Sequence, residues 1–336
     1  MTRVAVLGDI NIDVLMPVPA YPQPGGEAIT QGLITSVGGS AANTAITLAK
    51  LGSAVRMIGR VGRDPWGEMA LAALDACGVD AALVQRDGQA PTGMMFTPVT
   101  PDGERTMFGQ RGANARTDPA EIGAGALAGA RFLHLSGYAL LEPPQRDAAL
   151  TVVALAQKAG LPIGLDTAWL PAFRVPGQIL QLLPHLAICV SGLEEATQLS
   201  GGGTAEAAAM RLVEAGAALV GLKMGRRGCL LADRSGITSV PPFQAESVDS
   251  TGAGDAFSAG LIYGFLKGLS LPAAGVLANA LGSLAVGVWG AGISLPGREE
   301  AMQLLEGSML AAEGEHKKWL EEARSSLENT WPLPSA

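Results

Sequence analysis

The sequence predicts an α/β fold: a mostly parallel sheet covered by helices on both faces, with a small β accessory beside it. Three observations lead there. Short apolar runs alternate with helical patterns along most of the chain, as βαβ units require. Two segments, residues 12–37 and 93–112, break that rhythm with β-branched residues, Gly and Pro. The composition is that of a packed chain, with 48% hydrophobic and only 16% charged residues among 336. That length suits either one large α/β domain or two smaller ones.

Taken in order, Arg3–Leu7 is a first strand, ended by Gly8-Asp9. Residues 40–51 read as a helix with Ser40 as N-cap and Gly52 as its stop. Asp64-Pro65 opens the next helix as cap and first-turn proline, and Gly78 closes it. Residues 144–158 and 205–215 are helical, and Ile163–Asp166 and Leu219–Lys223 are strands. The expected main domain takes residues 1–11, 38–92 and 113–311. Residues 12–37 and 93–112 pair into a small sheet inserted as a lid over its edge. Residues 312–336 form a charged helical tail, read as a solvated face. Residues 268–297 carry no charge but are broken by Pro272, Asn279 and Ser283, which suits buried helices better than a bilayer span.

A formal net charge of −8 argues against a nucleic-acid or anionic-membrane partner. Cys77, Cys189 and Cys229 lie far apart, with neither metal-ligand spacing nor a disulfide framework. The opening MTRVAVLGDINID meets Asp9 and Asp13 too early for a secretory apolar region, so the expected location is the cytoplasm.

The strongest chemical signal is DSTGAGDAF, residues 249–257, leading straight into a helical run. Gly252, Ala253 and Gly254 let the backbone approach a ligand closely, and their N–H groups lie at a helix N-terminus, which favours an anion. Asp255 then places a carboxylate beside that anion hole, either as a cap or as the acceptor of a proton from an attacking hydroxyl. A second signal, VGGSAANTA at 37–45, puts Asn43 early in an Ala-rich helix, where it costs propensity unless it back-bonds or grips a polyol. Asn11 and Asp13 add hydroxyl-binding groups near a strand's carboxyl end, where open α/β sheets bind ligands.

Together these residues resemble the ribokinase-like (PfkB) carbohydrate kinase family. GGSAANTAITLAKLG is similar to its N-terminal motif, IGRVGRDPWGEMALAALDACGV to the segment after it, and DSTGAGDAFSAG to its C-terminal catalytic motif. GLKMGRRGCLL resembles the nucleotide-side turn, and ANALGSLAVGVWGAGISLPGREE the closing segment. The resemblance implies a three-layer sandwich with a small β-sheet lid, and an ATP-dependent kinase acting on a hydroxyl of a sugar or related polyol. It implies Asp255 as base, with Gly252, Ala253 and Gly254 as the anion hole. Asp13, Gly38, Gly39, Asn43 and Asn11 fall at sugar-binding positions, and Lys223, Gly225, Gly228 and Asn279 on the ATP side. Glu195 would face Mg²⁺ through water, and Asp249 and Thr251 would help hold K⁺. A homodimer joined through the lids is the implied assembly.

Departures from the family pattern bear on the substrate. Gly192 stands where an Asn usually precedes Glu195, and Ser40-Ala41 replace Lys-Gly of ribokinase itself. Ser136 falls near an acidic sugar ligand of that enzyme. Arg111 suits a substrate carboxylate, as in a keto-deoxy sugar acid, although the Tyr-Tyr-Arg pattern of such kinases is missing; Arg105 lies in or beside the lid. Phe96 and Phe108 read as lid core, or as nucleobase stackers in a nucleoside kinase. A sensor that keeps the fold without catalysis is the reading from another class; Asp255 beside the intact loop weighs against it.

Overall fold

The computed structural model describes residues 3–30, 32–101 and 105–328. Its first half runs β1 (Arg3–Leu7), β2 (Asn11–Pro17), β3 (Ile34–Gly38), α1 (Ser40–Lys50), β4 (Ala54–Gly62), α2 (Pro65–Ala76), β5 (Val79–Asp87), β6 (Gly93–Val99) and β7 (Phe108–Gln110). Then come β8 (Ala130–Ser136), α3 (Gln145–Lys158), β9 (Ile163–Asp166), α4 (Trp169–Arg174), α5 (Pro176–Leu182), β10 (Ile188–Gly192), α6 (Leu193–Ser200), α7 (Ala205–Glu214) and β11 (Leu219–Lys223). The chain closes with β12 (Cys229–Asp233), β13 (Gly236–Val240), α8 (Ala253–Lys267), α9 (Leu271–Ala285), α10 (Arg298–Met309) and α11 (Gly314–Glu328).

Nine strands form the central sheet in the order β13-β12-β11-β10-β9-β8-β1-β4-β5. All neighbours are parallel except the β11-β12 and β12-β13 pairs at one edge. Successive side chains of a strand point to opposite faces, and β1 shows the consequence. Val4 and Val6 join one buried cluster with α1, α8 and α9, while Ala5 and Leu7 join another with α3, α6 and α7. This is the three-layer α/β architecture expected.

The segments that break the rhythm supply a second sheet, ordered β3-β2-β6-β7, in which β2 and β6 are parallel. It starts one residue before the expected boundary, at Asn11, and ends one after it, at Gly38. Residue 31 and residues 102–104, within those segments, lie outside the described residues, as do 1–2 and the end of the tail from 329.

Two local expectations are corrected. Ser40 is the first residue of α1 and not its cap; Gly39 takes the cap position and no side chain caps it. The tail is not a solvated face. Leu320, Ala323 and Leu327 of α11 are buried in the core that α8 and α9 build, because apolar residues at that spacing share one side of a helix. Asp64, by contrast, caps α2 as read, accepting from the Gly67 N–H at 2.8 Å.

Candidate active site

The carboxyl ends of β1, β9, β10 and β11 open on one edge of the central sheet, where α/β folds bind ligands. Helix α8 begins there. Gly252 is its cap, with φ 77°, a backbone that favours glycine; a Cβ would also lie only 2.9 Å from Leu295. The first N–H groups of a helix have no intrahelical acceptor, so those of Gly254 and Asp255 are left as donors suited to an anion.

Asp255 stands half-buried in that first turn. Ser40 Oγ donates to its Oδ1 at 2.8 Å, and Asn43 Nδ2 donates to its Oδ2 at 2.8 Å. Asn43 Oδ1 accepts from the Gly292 N–H at 3.0 Å, so the amide bridges Asp255 to the loop after α9. Burial first, then the charge of Asp166, push the Asp255 carboxyl up to about 6, while Asn43, Ser40 and Lys223 pull it down. A carboxyl held there can take up a proton near neutrality.

The second sheet forms the opposite wall. Asp13, in the middle of β2, packs directly on Gly38 of β3, where a Cβ would fall 2.1 Å from Asp13 Oδ2. Burial, then the charges of Asp255 and Asp249, raise the Asp13 carboxyl to about 7. Gly39 brings its backbone against the Asp9 carbonyl at the same corner. Asn11 starts β2, and its Oδ1 accepts from Asn114 Nδ2 at 2.8 Å.

Beyond the α8 terminus lies a cleft of about 650 Å³. Lys223, Gly225, Gly228 and Asn279 line it together with Ala253 and Gly254. Gly225 and Gly228 make the turn between β11 and β12, while Asn279 Nδ2 donates to the carbonyl of Pro241 at 2.9 Å. Lys223 Nζ donates to Asp166 Oδ2 at 2.8 Å, and a Cβ on Gly254 would sit 3.2 Å from the same ammonium. Burial opposes the Lys223 charge, but Asp166 and Glu195 outweigh it and raise the pKa. Burial likewise opposes the Asp166 charge, yet Lys223 and Ser258 hold its carboxyl below the ordinary value. A positive group is thus fixed beside the anion-binding amides.

Glu195 sits in the first turn of α6, accepts from the Gly192 N–H, and has its pKa raised mainly by burial. Among the described residues no cluster of three or more His, Cys, Asp or Glu is built to hold a metal. Mg²⁺ keeps much of its water and uses one or two carboxylates plus phosphates. Glu195, with Asp166 near it, is the available carboxylate set.

Four expected ligands are already engaged. Asp249 and Thr251, read as a K⁺ site, both bind Arg105: its Nη1 donates to Asp249 Oδ1 at 2.9 Å and to Thr251 Oγ1 at 2.7 Å. Arg111, read as a partner for a substrate carboxylate, is held by Asp9 at 3.1 Å, Glu142 at 3.0 Å, the Tyr138 carbonyl at 3.0 Å and the Gln145 side chain. Its charge is spent inside the protein, so it is not poised for a sugar acid. Asn43 also differs from its reading, since both polar atoms of its amide serve the protein.

Phe96 and Phe108 are neither lid core nor placed to stack a base. They are 38% and 59% exposed, and the register sets Phe96 opposite Val14 and Phe108 opposite Phe96, on the sheet face away from Asp13. The sequence reading missed Asp166 and the use of Ser40. For Asp166 a signal existed: an acidic residue closing a short strand at the ligand-binding edge. For Ser40 there was none, because its partner lies 215 residues away.

Comparison with known proteins shows the family and the fold. The pfkB family carbohydrate kinase profile matches residues 1–298. An ATP-dependent ribose-1-phosphate kinase of Halopiger xanaduensis is 30% identical, the match covering 87% of this chain and 94% of that one. The 5-dehydro-2-deoxygluconokinase of Shouchella clausii is 30% identical, over 90% of this chain and 95% of the other. Among solved structures, Arabidopsis thaliana ribokinase complexed with ribose and ATP aligns with a TM-score of 0.80 and 27% identity, covering 90% of this chain and 99% of that one. Ribokinase from Thermotoga maritima aligns with a TM-score of 0.80 and 26% identity, covering 91% and 100%. With its three layers, its second sheet and a profile match running from the first residue into α10, the chain belongs to the pfkB family of carbohydrate kinases, phosphotransferases that act on an alcohol group.

Proposed function

We propose that this enzyme transfers the γ-phosphate of ATP to a hydroxyl of a sugar or related polyol, with Asp255 as the base. The observation that carries the reading is the placement of Asp255. It lies in the same helical turn as the anion-binding amides, between the buried Asp13 wall and the Lys223 cleft. Sugar hydroxyls donate to Asp13, beside the close backbone of Gly38 and Gly39, with Asn11 at the rim and Asn43 holding Asp255 in place. ATP enters the cleft along Gly225, Gly228 and Asn279, and Lys223 meets its phosphates. Glu195 and Asp166 would hold Mg²⁺ through water, and the ion would neutralise charge on the phosphates.

The acceptor oxygen attacks the γ-phosphorus, its proton passes to Asp255, the β–γ bridge bond breaks, and ADP leaves. The Gly252-Ala253-Gly254 turn stabilises the charge on the transferring group. Phosphoryl transfer depends mostly on position and electrostatics, so a carboxylate of modest basicity suffices.

Substrates named for relatives span fructose, ribose, a sugar acid and aminoimidazole riboside. The internal pairing of Arg111 and the outward Phe96 and Phe108 favour a neutral sugar over a sugar acid or a nucleoside. An ADP-release screen over pentoses, hexoses, sugar acids, inositols and nucleosides tests this. Turnover of a neutral sugar with Mg-ATP is expected; ADP release only with nucleosides would overturn the choice. The exposed Phe96 and Phe108 support pairing of two second sheets in a homodimer. Three free cysteines accord with a reducing cytoplasm.

A further inference from the structure

We infer that Arg105 is the resident cation of the anion-hole loop: its guanidinium takes the place of a free monovalent ion and fastens the second sheet to that loop. The inference rests on the phosphotransfer reading above and refines how its site is assembled.

Asp249 is only 4% exposed and begins the loop that carries Gly252, Ala253 and Gly254. A carboxylate buried there, close enough to raise the pKa of Asp13, needs a counter-charge. Both of its oxygens are already engaged. Oδ1 takes Arg105 Nη1 at 2.9 Å, the Thr251 N–H at 2.9 Å and Thr251 Oγ1 at 2.7 Å, while Oδ2 takes the Gly290 N–H at 2.9 Å. Arg105 also reaches Ser250 Oγ through Nη2. One planar fork therefore spans three consecutive loop residues, a match that a guanidinium makes and a spherical ion does not. A free cation on Asp249 would have to displace it.

Where Arg105 comes from gives the contact its second consequence. Its backbone pairs antiparallel with Val99, the last residue of β6. On the same strand Met95 lies opposite Asp13. A movement of the second sheet that carries Asp13 toward Asp255 therefore carries the loop's cation with it. A dissolved ion would fill the charge requirement without this linkage. Arg105 is thus a positioning residue, acting on the phosphate amides through Asp249 and Thr251.

The test compares KCl with N-methylglucamine chloride at constant ionic strength, for wild type, Arg105→Ala and Arg105→Lys, reading both Mg-ATP turnover and melting temperature. Wild type should give the same kcat and the same Tm in both salts. Arg105→Ala should lose about tenfold or more in kcat, and should regain part of it, with a rise in Tm, on adding KCl or millimolar guanidinium chloride. Arg105→Lys, which keeps the charge but not the fork, should fall between. Saturable activation of wild type by K⁺, or a K⁺-specific rise in its Tm, would overturn the inference. So would unchanged kcat in folded Arg105→Ala. If no substrate turns over in either salt, the phosphotransfer reading fails, while the Tm comparison on wild type still decides the cation question.

Discussion

Asp255 and Asp13 are ordinary carboxylates made unusual by their neighbours. Each is buried near another acid, so each loses charge more readily than in water. Asp255→Asn is a clean probe, because the Ser40 hydroxyl can turn to accept from the new amide while Asn43 keeps its bond to the remaining oxygen. Folding should hold, and kcat should fall at least about a hundredfold through loss of the base. A kcat within a fewfold of wild type would end the assignment. The pH dependence follows from the same two groups. Their unfolded pKa is near 4, and their folded values are about 6 and about 7. Between those values the folded state holds more protons than the unfolded one. The stability they give is therefore complete below about pH 4 and lost as pH rises through 6 and 7. Because the two titrate as a pair, the macroscopic steps belong to both. Wild-type Tm without ligand should drop between pH 5 and pH 8, and Asp13→Asn should flatten that slope; equal slopes would remove Asp13 from the account.

At the scale of elements, the helix α11 shows what an amphipathic pattern hides when charge dominates it. Glu, Lys and Arg fill seven of its fifteen positions, yet Leu320, Ala323 and Leu327 are fully buried. Tyr263 of α8 donates to the Ser326 carbonyl at 3.2 Å, and Glu322 accepts from the N–H and hydroxyl of Ser270 before α9. The helix is thus part of the layer that holds α8 in place. Leu320→Ala should cost about 2–5 kcal/mol of stability through lost burial and the cavity left. Chemical denaturation checks the cost, with KM for ATP expected unchanged because the site lies at the other end of α8. Strands such as Ile163–Asp166 and Leu219–Lys223 were legible residue for residue, since a short apolar run between turn signals leaves few alternatives. The glycine loop and Asp255 were legible for a related reason, their chemistry being carried by one contiguous stretch. Arg105, Arg111 and Ser40 were not. Each has partners scores to hundreds of residues away, which no local period encodes.

At the scale of the molecule, two sheets meet at the site, and we propose that one buried residue serves as their hinge. Asn114 accepts from the Ile10 N–H at 2.8 Å and donates to the Ile10 carbonyl at 3.0 Å and to Asn11 Oδ1 at 2.8 Å. It pins the chain where β1 of the central sheet passes into β2 of the second. Asp13 lies within reach of the charges of Asp255 and Asp249, so like charge would oppose a closer approach of the second sheet. Hydroxyls donating to Asp13 would relieve that opposition and draw the second sheet down. Closure would also exclude water, which otherwise competes for the phosphoryl group. Hydrogen exchange should therefore slow in β2 and β6 when a turned-over sugar binds, and crystals with and without it should show different angles between the sheets. Asn114→Ala leaves the Ile10 backbone groups unpaired in a buried place, at about 1–3 kcal/mol. If the hinge transmits closure, its KM for sugar should rise about tenfold by that cost, while ATP binding to the Lys223 cleft is preserved. Identical exchange with and without sugar, together with an unaltered KM in Asn114→Ala, would mean that the second sheet is a fixed wall.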